Sequence, residues 1–560
     1  MTGVNAGILF APTAFDATQK QIKGRHIAGA SFLEGFVRYA DVDEFVGVTA
    51  QSDFGREFER KIAELQMATG LSSKRPIRSV PLTDVTGLSD VGTFFSPDPI
   101  IGRYAWVRCR AGQRAYSICG ITHTISSKNV LQSLANYLTA AVQPWDALIC
   151  TSNAVREAVQ RVHEENAEYL TIRVGARPVQ PVQLPVIPLG VDAETMVVRG
   201  REMAARAALR DRFNVGDQDI VVLFFGRLSF HAKAHPSPMY LALERAQARL
   251  DGSGIRLHML MTGQFSNEHI EKAYHDCATR MCPNVPVHFI DGTSETDSQA
   301  SWAAADIFLS LSDNIQESFG ITPIEAMAAG LPCVVSDWDG YRDTVLHGET
   351  GFRVSTWMGA AGTGVGFAQA YDLDSLTYDR FVGGLSLVTA ADVDQTAQAL
   401  ETLARDPDLR QRMGAAGIDR ARTVYDWSVI IPQYQALWAE LGDRRKTQEG
   451  IAIPASLAVN PALPDPAVVF SGYSTERISP ESRVRPTASI DQISALFADV
   501  SATFFPQMLL SQGEAADLFA QIPSQGTTLA DLLRDVPSER RGRVTRTVLW
   551  WMKFGAVAIA

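Results

Sequence analysis

Short apolar runs that close on small or polar residues and then hand over to helical periodicity constrain the architecture of this 560-residue chain more than any other feature. The first series is AGILFAP (6–12), EFVGVTA (44–50), YSICGIT (116–122), ALICTS (147–152) and LPVIPLG (184–190). A second starts afresh with DIVVLFFG (219–226) and continues through RLHMLMTG (256–263), VPVHFIDG (285–292), DIFLSLS (306–312) and LPCVVSD (331–337). Such alternation is the signature of βα units, because parallel strands are buried on both faces and need helical crossovers. Two tandem open α/β domains, 1–200 and 201–441, are therefore predicted, with the chain passing from one to the other near 192–215. Length points the same way, since roughly 150 residues per domain gives about three or four units rather than one giant sheet.

Two stretches break the rhythm. Residues 356–385, TWMGAAGTGVGFAQAYDLDSLTYDRFVGGL, read as an inserted loop, and its GTGVG neither matches G-x-G-x-x-G nor follows a strand, which argues against a dinucleotide fingerprint. Residues 442–484 read as a Pro-rich linker. Beyond it, IDQISALFADVS, TTLADLLRDV and SERRGRVTRTVLWWMKFG, followed by AVAIA, predict a small helical or winged-helix-like module over 485–560. Its plain use is partner docking or self-association.

Composition narrows the function classes. With 46% hydrophobic and 20% charged residues the chain has ample material for cores. A net charge of -11 disfavours nucleic-acid binding, which needs an excess of Lys and Arg, and the run Arg540-Arg541-Gly542-Arg543 reads better as a solvated helix start. Six cysteines without a C-x-x-C pair suggest reduced thiols and no zinc site. The N-terminus lacks a signal-peptide pattern and VLWWMKFGAVAIA is too short to span a bilayer, so the expectation is a cytoplasmic protein, at most peripheral to a membrane.

In open α/β sheets, ligands sit beyond the carboxyl ends of the strands, and two sheets create a cleft between them. Gly226, Arg227, Thr262, Gly263 and the LSDNIQESFG segment all fall at such ends. Arg227 with Lys233 suits a diphosphate, one as a planar fork and the other as a mobile point charge. Glu317 stands just before a helix start, where the backbone amides of Phe319, Gly320 and Ile321 would face an anion while the carboxylate accepts hydroxyl hydrogen bonds. Phosphates and hydroxyls on one ligand describe a nucleotide sugar. Glu325 has a structural reading: Thr322 as N-cap, Pro323 first and Glu325 third in a reciprocal capping box.

The two glutamates of ESFGITPIE, continued by AMAAGLPCVVSDWDGYRDTVLHGETGF, closely resemble the retaining glycosyltransferases of family four, whose GT-B fold pairs two facing Rossmann-like domains. FFGRL with Lys233, WDALICTS, VIPLGVD (186–192) and WAAADIFLS support the resemblance, which runs over roughly residues 5–441 and is strongest over 219–354. It implies that Glu317 binds the donor sugar, that Glu325 accepts from the ribose, and that Arg227 and Lys233 neutralise the leaving diphosphate so that no metal or other cofactor is required. It also implies that His123, in ICGITHTISS, faces the transferred sugar. Where the family has a diglycine loop, this chain reads Lys23-Gly24-Arg25, and either cation could stand in for it. The expected function is retaining, metal-independent transfer of a sugar from a nucleotide-diphosphate donor to a glycan, lipid or small-molecule acceptor. The alternative is a catalytically inactive GT-B protein that binds nucleotide sugars and docks partners through its C-terminal module.

Overall fold

A computed structural model describes residues 5–16, 24–70, 74–454 and 459–560. They form two compact units, one reaching to Ala462 and the other running from Leu463 to Ala560.

The larger unit holds two six-stranded, wholly parallel sheets. The first comprises β1 (Gly7–Leu9), β2 (Phe45–Thr49), β3 (Ile77–Pro81), β4 (Thr93–Ser96), β5 (Ser117–Ile121) and β6 (Ala147–Ile149), in the order β3-β2-β1-β4-β5-β6. The second comprises β7 (Ile220–Phe225), β8 (Leu257–Gly263), β9 (Val287–Asp291), β10 (Ile307–Ser310), β11 (Cys333–Ser336) and β12 (Gly351–Val354), ordered β12-β11-β10-β7-β8-β9. Each repeats the same winding: the first strand lies in the middle and the order reverses beside it. The reversal points, β1/β4 and β7/β10, are where such sheets hold ligands. The two-sheet α/β architecture and the GT-B fold expected from the sequence are both present.

Three strands escape the apolar-run reading: β3 and β12 are edge strands that mix buried with partly buried residues, and β4 is four residues long. Conversely, LPVIPLG is no full strand. Pro185 and Pro188 lack the N–H groups a ladder needs, and the segment touches the sheet by isolated bridges alone, Cys150 to Val186 and Ala147 to Gln183.

The chain crosses between the domains twice. After helix α1 (Gly24–Tyr39) and the rest of the first domain it enters the second near Val191. It returns near Asp426, with Val191 N–H donating to the Tyr425 carbonyl at 2.9 Å and Trp427 N–H to the Val191 carbonyl at 3.2 Å. The returning helix α2 (Trp427–Thr447) buries Trp427, Tyr434 and Trp438 against Phe32 and Phe36 of α1 and Phe95 of β4. Much of the stretch assigned by sequence to the second domain's end therefore completes the first domain's core.

The second unit has its own core, from Val484 to Val557. Helices Ile490–Ala498, Gln512–Ala520 and Ser538–Lys553 pack around an antiparallel three-stranded sheet, Thr527–Thr528, Arg483–Pro486 and Val557–Ile559. The helical module is thus present with two strands more than the sequence revealed, and it begins at Leu463, inside the segment read as linker.

Candidate active site

The loops that follow β7 and β10 meet at the reversal point of the second sheet. Asn314 Nδ2 donates to the His231 carbonyl at 2.8 Å and Gln316 Nε2 to the Ala232 carbonyl at 3.2 Å, which fixes the segment before Glu317 against the segment before Lys233. Lys233 Nζ and a Glu317 carboxylate oxygen then form an ion pair, with the Glu317 side chain 12% exposed. Burial alone would raise the Glu317 carboxyl; Lys233, the Ser318 amide and Arg227 together outweigh it and hold the group below its ordinary range, so it is a carboxylate at neutral pH. Arg227 is half-buried beside this pair, and its guanidinium has no hydrogen-bond or ion-pair partner among the described residues.

Gly320 explains how the helix start is aimed. Its φ of 79° is the left-handed region, and a Cβ there would lie 2.0 Å from the Tyr341 ring. The helix Ile321–Ala328 therefore has Gly320 as its N-cap, with no side-chain cap. Among the described residues, the amides of Phe319, Gly320 and Ile321 have no backbone acceptor. Three unpaired N–H groups at a helix N-terminus beside two cations make an anion cradle. Phe319 itself is buried against Tyr425, and Ile321 is half-buried, so these residues serve through their backbone.

The capping-box reading of Glu325 is overturned. With Gly320 as N-cap, Glu325 is the fifth helical residue instead of the third, Thr322 caps nothing, and Pro323 is tolerated because a first-turn residue has no intrahelical N–H bond to lose. The Glu325 carboxyl has no hydrogen-bond partner among the described residues, and burial raises it to about 7, with the fields of Arg199 and Lys233 opposing the rise. A half-buried carboxyl without a hydrogen-bond partner is left to hold its proton, which is why its value rises.

Gly226 and Gly263 close the ends of β7 and β8. A Cβ on Gly263 would stand 1.8 Å from the Gly226 carbonyl oxygen, so the two backbones can approach only with glycine at 263. Thr262 departs from expectation: its hydroxyl is buried and donates to Ser301 at 2.9 Å, in the helix Glu295–Ala304, which ties it to the sheet–helix layer.

The first domain reaches the same place from β5 and β6. His123 lies two residues beyond β5 and is half-buried. Thr124 Oγ1 donates to the Gln316 carbonyl at 3.3 Å, and Ser152 Oγ to the Ser318 carbonyl at 3.0 Å. Because a trans peptide points its N–H opposite its C=O, the Phe319 amide aims away from Ser152 and the first domain. Lys23 and the Arg25 side chain, the substitutes for the diglycine loop, lie outside the described residues.

Three neighbours were not among the site residues expected from the sequence, and the first of them was expected to be a loop. The 356–385 segment is two helices, Val365–Asp372 and Tyr378–Ser386, framed by pairing of Thr356–Trp357 with Ala390–Ala391. It clasps the cleft: Tyr378 and Ser126 hydroxyls are 2.9 Å apart, Lys128 Nζ donates to the Asp372 carbonyl at 2.7 Å, and Ser386 donates to Asp313 at 2.7 Å. Burial raises Asp313 to about 7. Asp339 is pushed well above the carboxylate range by burial and then by Glu317, with its Oδ2 unpartnered. Such contacts join residues far apart in sequence, which no local pattern encodes.

Comparison with known proteins finds likenesses over part of this chain. The family profile described as Glycosyl transferases group 1 matches residues 205–356. A phosphatidyl-myo-inositol mannosyltransferase of Mycobacterium leprae is 31% identical over 153 residues, 27% of this chain and 31% of that protein. A GDP-mannose-dependent alpha-(1-6)-phosphatidylinositol monomannoside mannosyltransferase of Mycobacterium tuberculosis is 26% identical over 252 residues, 44% of this chain and 53% of that one. The chain thus spans about a third to a half of the length of these curated relatives. The crystal structure of Anabaena HepE in complex with UDP superposes with a TM-score of 0.50 at 16% identity, covering 78% of this chain and all of that one. A glycosyltransferase from Rickettsia africae gives 0.50 at 11% identity over 75% of this chain and 96% of its own. At such identities the structural likeness speaks for the fold.

Proposed function

We propose that this chain, whose residues 205–356 match the profile described as Glycosyl transferases group 1, transfers a sugar from a nucleotide-diphosphate donor to an acceptor hydroxyl with retention of configuration and without a metal. The observation that carries the reading is the meeting of a partnerless Arg227, the Lys233–Glu317 pair and three unpaired amides at the β7/β10 reversal. A diphosphate leaving group needs positive charge placed where its negative charge develops, and fixed dipoles in a closed cleft supply it without reorganisation. Arg227, Lys233 and the amides of Phe319, Gly320 and Ile321 take that role, which in other transferases a metal fills. Glu325 accepts from the ribose hydroxyls, and Glu317 from the hydroxyls of the transferring sugar, with His123 on the opposite wall. Transfer then runs on one face of the sugar, the departing phosphate taking the acceptor proton as the bond to the acceptor oxygen forms and the bond to the diphosphate breaks.

The acceptor-side wall is the first domain, whose β5 and β6 ends border the cleft. Two relatives are named for mannosyl transfer to phosphatidylinositol species, which makes GDP-mannose the first donor to try and an inositol-bearing lipid the first acceptor. Calorimetric titration with a panel of nucleoside diphosphates and nucleotide sugars in the presence of a chelator tests the donor half. The expected result is binding that weakens in Glu325→Ala and Arg227→Ala. Absence of binding across the panel, or binding only with added metal, refutes the proposal. The anomeric configuration of the product, read by NMR coupling constants, tests retention separately.

A further inference from the structure

The C-terminal unit carries a feature that sugar transfer does not use. Between helices Ile490–Ala498 and Gln512–Ala520 runs a loop with a short 3-10 turn at Pro506–Met508. Three hydrogen bonds fasten it along the helix Ser538–Lys553: Trp550 Nε1 to the Ala502 carbonyl at 2.8 Å, Arg546 Nε to the Met508 carbonyl at 3.0 Å, and Leu510 N–H to Thr547 Oγ1 at 3.0 Å. The fastened ends are held, and what lies between them projects. Phe504 is 89% exposed, Val500 83% and Phe505 56%, with Met508 and Leu549 also exposed. A phenylalanine at 89% exposure stands clear of the surface on nearly every side, so this is a convex tip rather than a groove.

Charge borders the tip. Arg546 is tied to it through Met508, and Arg543 lies one helical turn away on the same helix, both exposed and without a carboxylate partner among the described residues. Arg540, by contrast, is paired with Glu514, and Arg541 donates to the Val536 carbonyl at 3.0 Å. The one described acid within the loop, Asp499, is engaged by the Ser501 amide and hydroxyl at 2.8 and 2.7 Å. Apolar side chains on a pinned, protruding turn, flanked by unpaired arginines, complement a surface that is apolar within and negative at its face.

We propose that the Val500–Met508 tip, with Arg543 and Arg546, docks the chain on an anionic lipid bilayer, Phe504 and Phe505 entering the headgroup boundary while the arginines meet lipid phosphates. A protein partner for a convex tip would have to supply the whole pocket, and two copies of the tip cannot bury each other. The bilayer needs no pocket. Neither residue set belongs to the donor cleft, so the docking stands or falls independently of the sugar chemistry.

The test is co-sedimentation of the full chain with sucrose-loaded vesicles of phosphatidylcholine alone and of phosphatidylcholine mixed with phosphatidylglycerol. The chain is expected to pellet with the anionic vesicles, less so at high salt, and to stay in solution with the neutral ones. A Phe504→Ser, Phe505→Ser double variant and an Arg543→Glu, Arg546→Glu double variant should each lower the partition coefficient by about tenfold or more, given roughly fivefold per basic residue near an anionic surface. The Phe504, Phe505 and Arg543 side chains are exposed and fasten nothing, so the phenylalanine double variant and an Arg543→Glu single variant should melt like the parent; Arg546→Glu also removes the bond to the Met508 carbonyl, so its double variant is read against these two. Failure to bind anionic vesicles, equal binding to neutral ones, or binding that survives both double variants overturns the proposal. So does a Phe504→Ser, Phe505→Ser variant that changes the sedimenting mass without vesicles, because the tip would then be a protein interface.

Discussion

Lys233 and Glu317 are joined by an ion pair where the loops after β7 and β10 meet. On the proposed reading a donor displaces each from the other: the lysine passes to phosphate, and the carboxylate is freed for sugar hydroxyls. Lys233→Met should lower kcat/KM by roughly 10²–10³, the usual cost of losing one preorganised electrostatic donor. It should also lower stability by about 1–3 kcal/mol, because Glu317 is left nearly buried with its strongest counter-charge gone. A Lys233→Met, Glu317→Gln double variant should regain the stability and none of the activity. Thermal melts read against initial rates separate the two effects.

Glu325 predicts a pH dependence with a definite sign. Its folded pKa, about 7, lies above the ordinary value of 4.5. The stabilising contribution of its protonated form is fully present below about 4.5 and lost as pH rises through 7. Glu325→Gln should accordingly melt higher than the parent at pH 8, by about 1–3 kcal/mol, with the difference vanishing at pH 4. Donor binding should run the other way: affinity in the parent rises through pH 7 as the carboxylate forms, and Glu325→Gln binds weakly and flatly across the same range. Calorimetry at several pH values checks both.

The Tyr378–Ser126 contact spans the two domains. Tyr378→Phe removes one hydrogen bond and should shift the balance of closed and open clefts about three- to tenfold toward open. Small-angle scattering should give a larger radius of gyration. Acceptor KM should rise while affinity for the free nucleoside diphosphate, bound within the second domain, stays unchanged.

Arg108 and Asp146 are wholly buried, bonded at 2.5 and 2.8 Å, and between them satisfy the Tyr116 and Ala141 carbonyls and the Gln143 and Ile118 amides. Asp146→Ala strands a buried guanidinium and should cost about 3–5 kcal/mol by chemical denaturation. Arg108→Met in the same chain should recover a large part of it.

Asp146 also shows where sequence reading succeeds and stops. It stands in WDALICTS, a stretch legible as a strand with its motif, yet its work is to pin β5 and β6 from beneath, which only the fold displays. Most central strands were legible because burial on both faces forces unbroken apolar runs; β4, though buried, is only four residues long and passed unnoticed. Edge strand β3, IRSVP, and the Arg483–Pro486 strand were not, since exposure lets them carry arginines. Glu317, Arg227 and Lys233 could be placed because strand ends converge by topology. Glu325 was read as the third helical residue of a capping box, and the structure starts the helix two residues earlier, where Gly320 sits left-handed with no room for a Cβ beside the Tyr341 ring. The clasp residues Tyr378, Ser126 and Lys128 left no local trace, because their partners lie more than 200 residues away.

The paired crossing of Val191 with Tyr425–Trp427 carries a mechanical consequence. A single covalent strand between two bodies is a swivel, free to bend and to twist. Two strands bonded side by side behave as a hinge with two pins, which still bends but resists torsion. The lobes can part and close like a book while the β7/β10 loops keep facing the β5 and β6 ends, so each closure brings the same residues back into register.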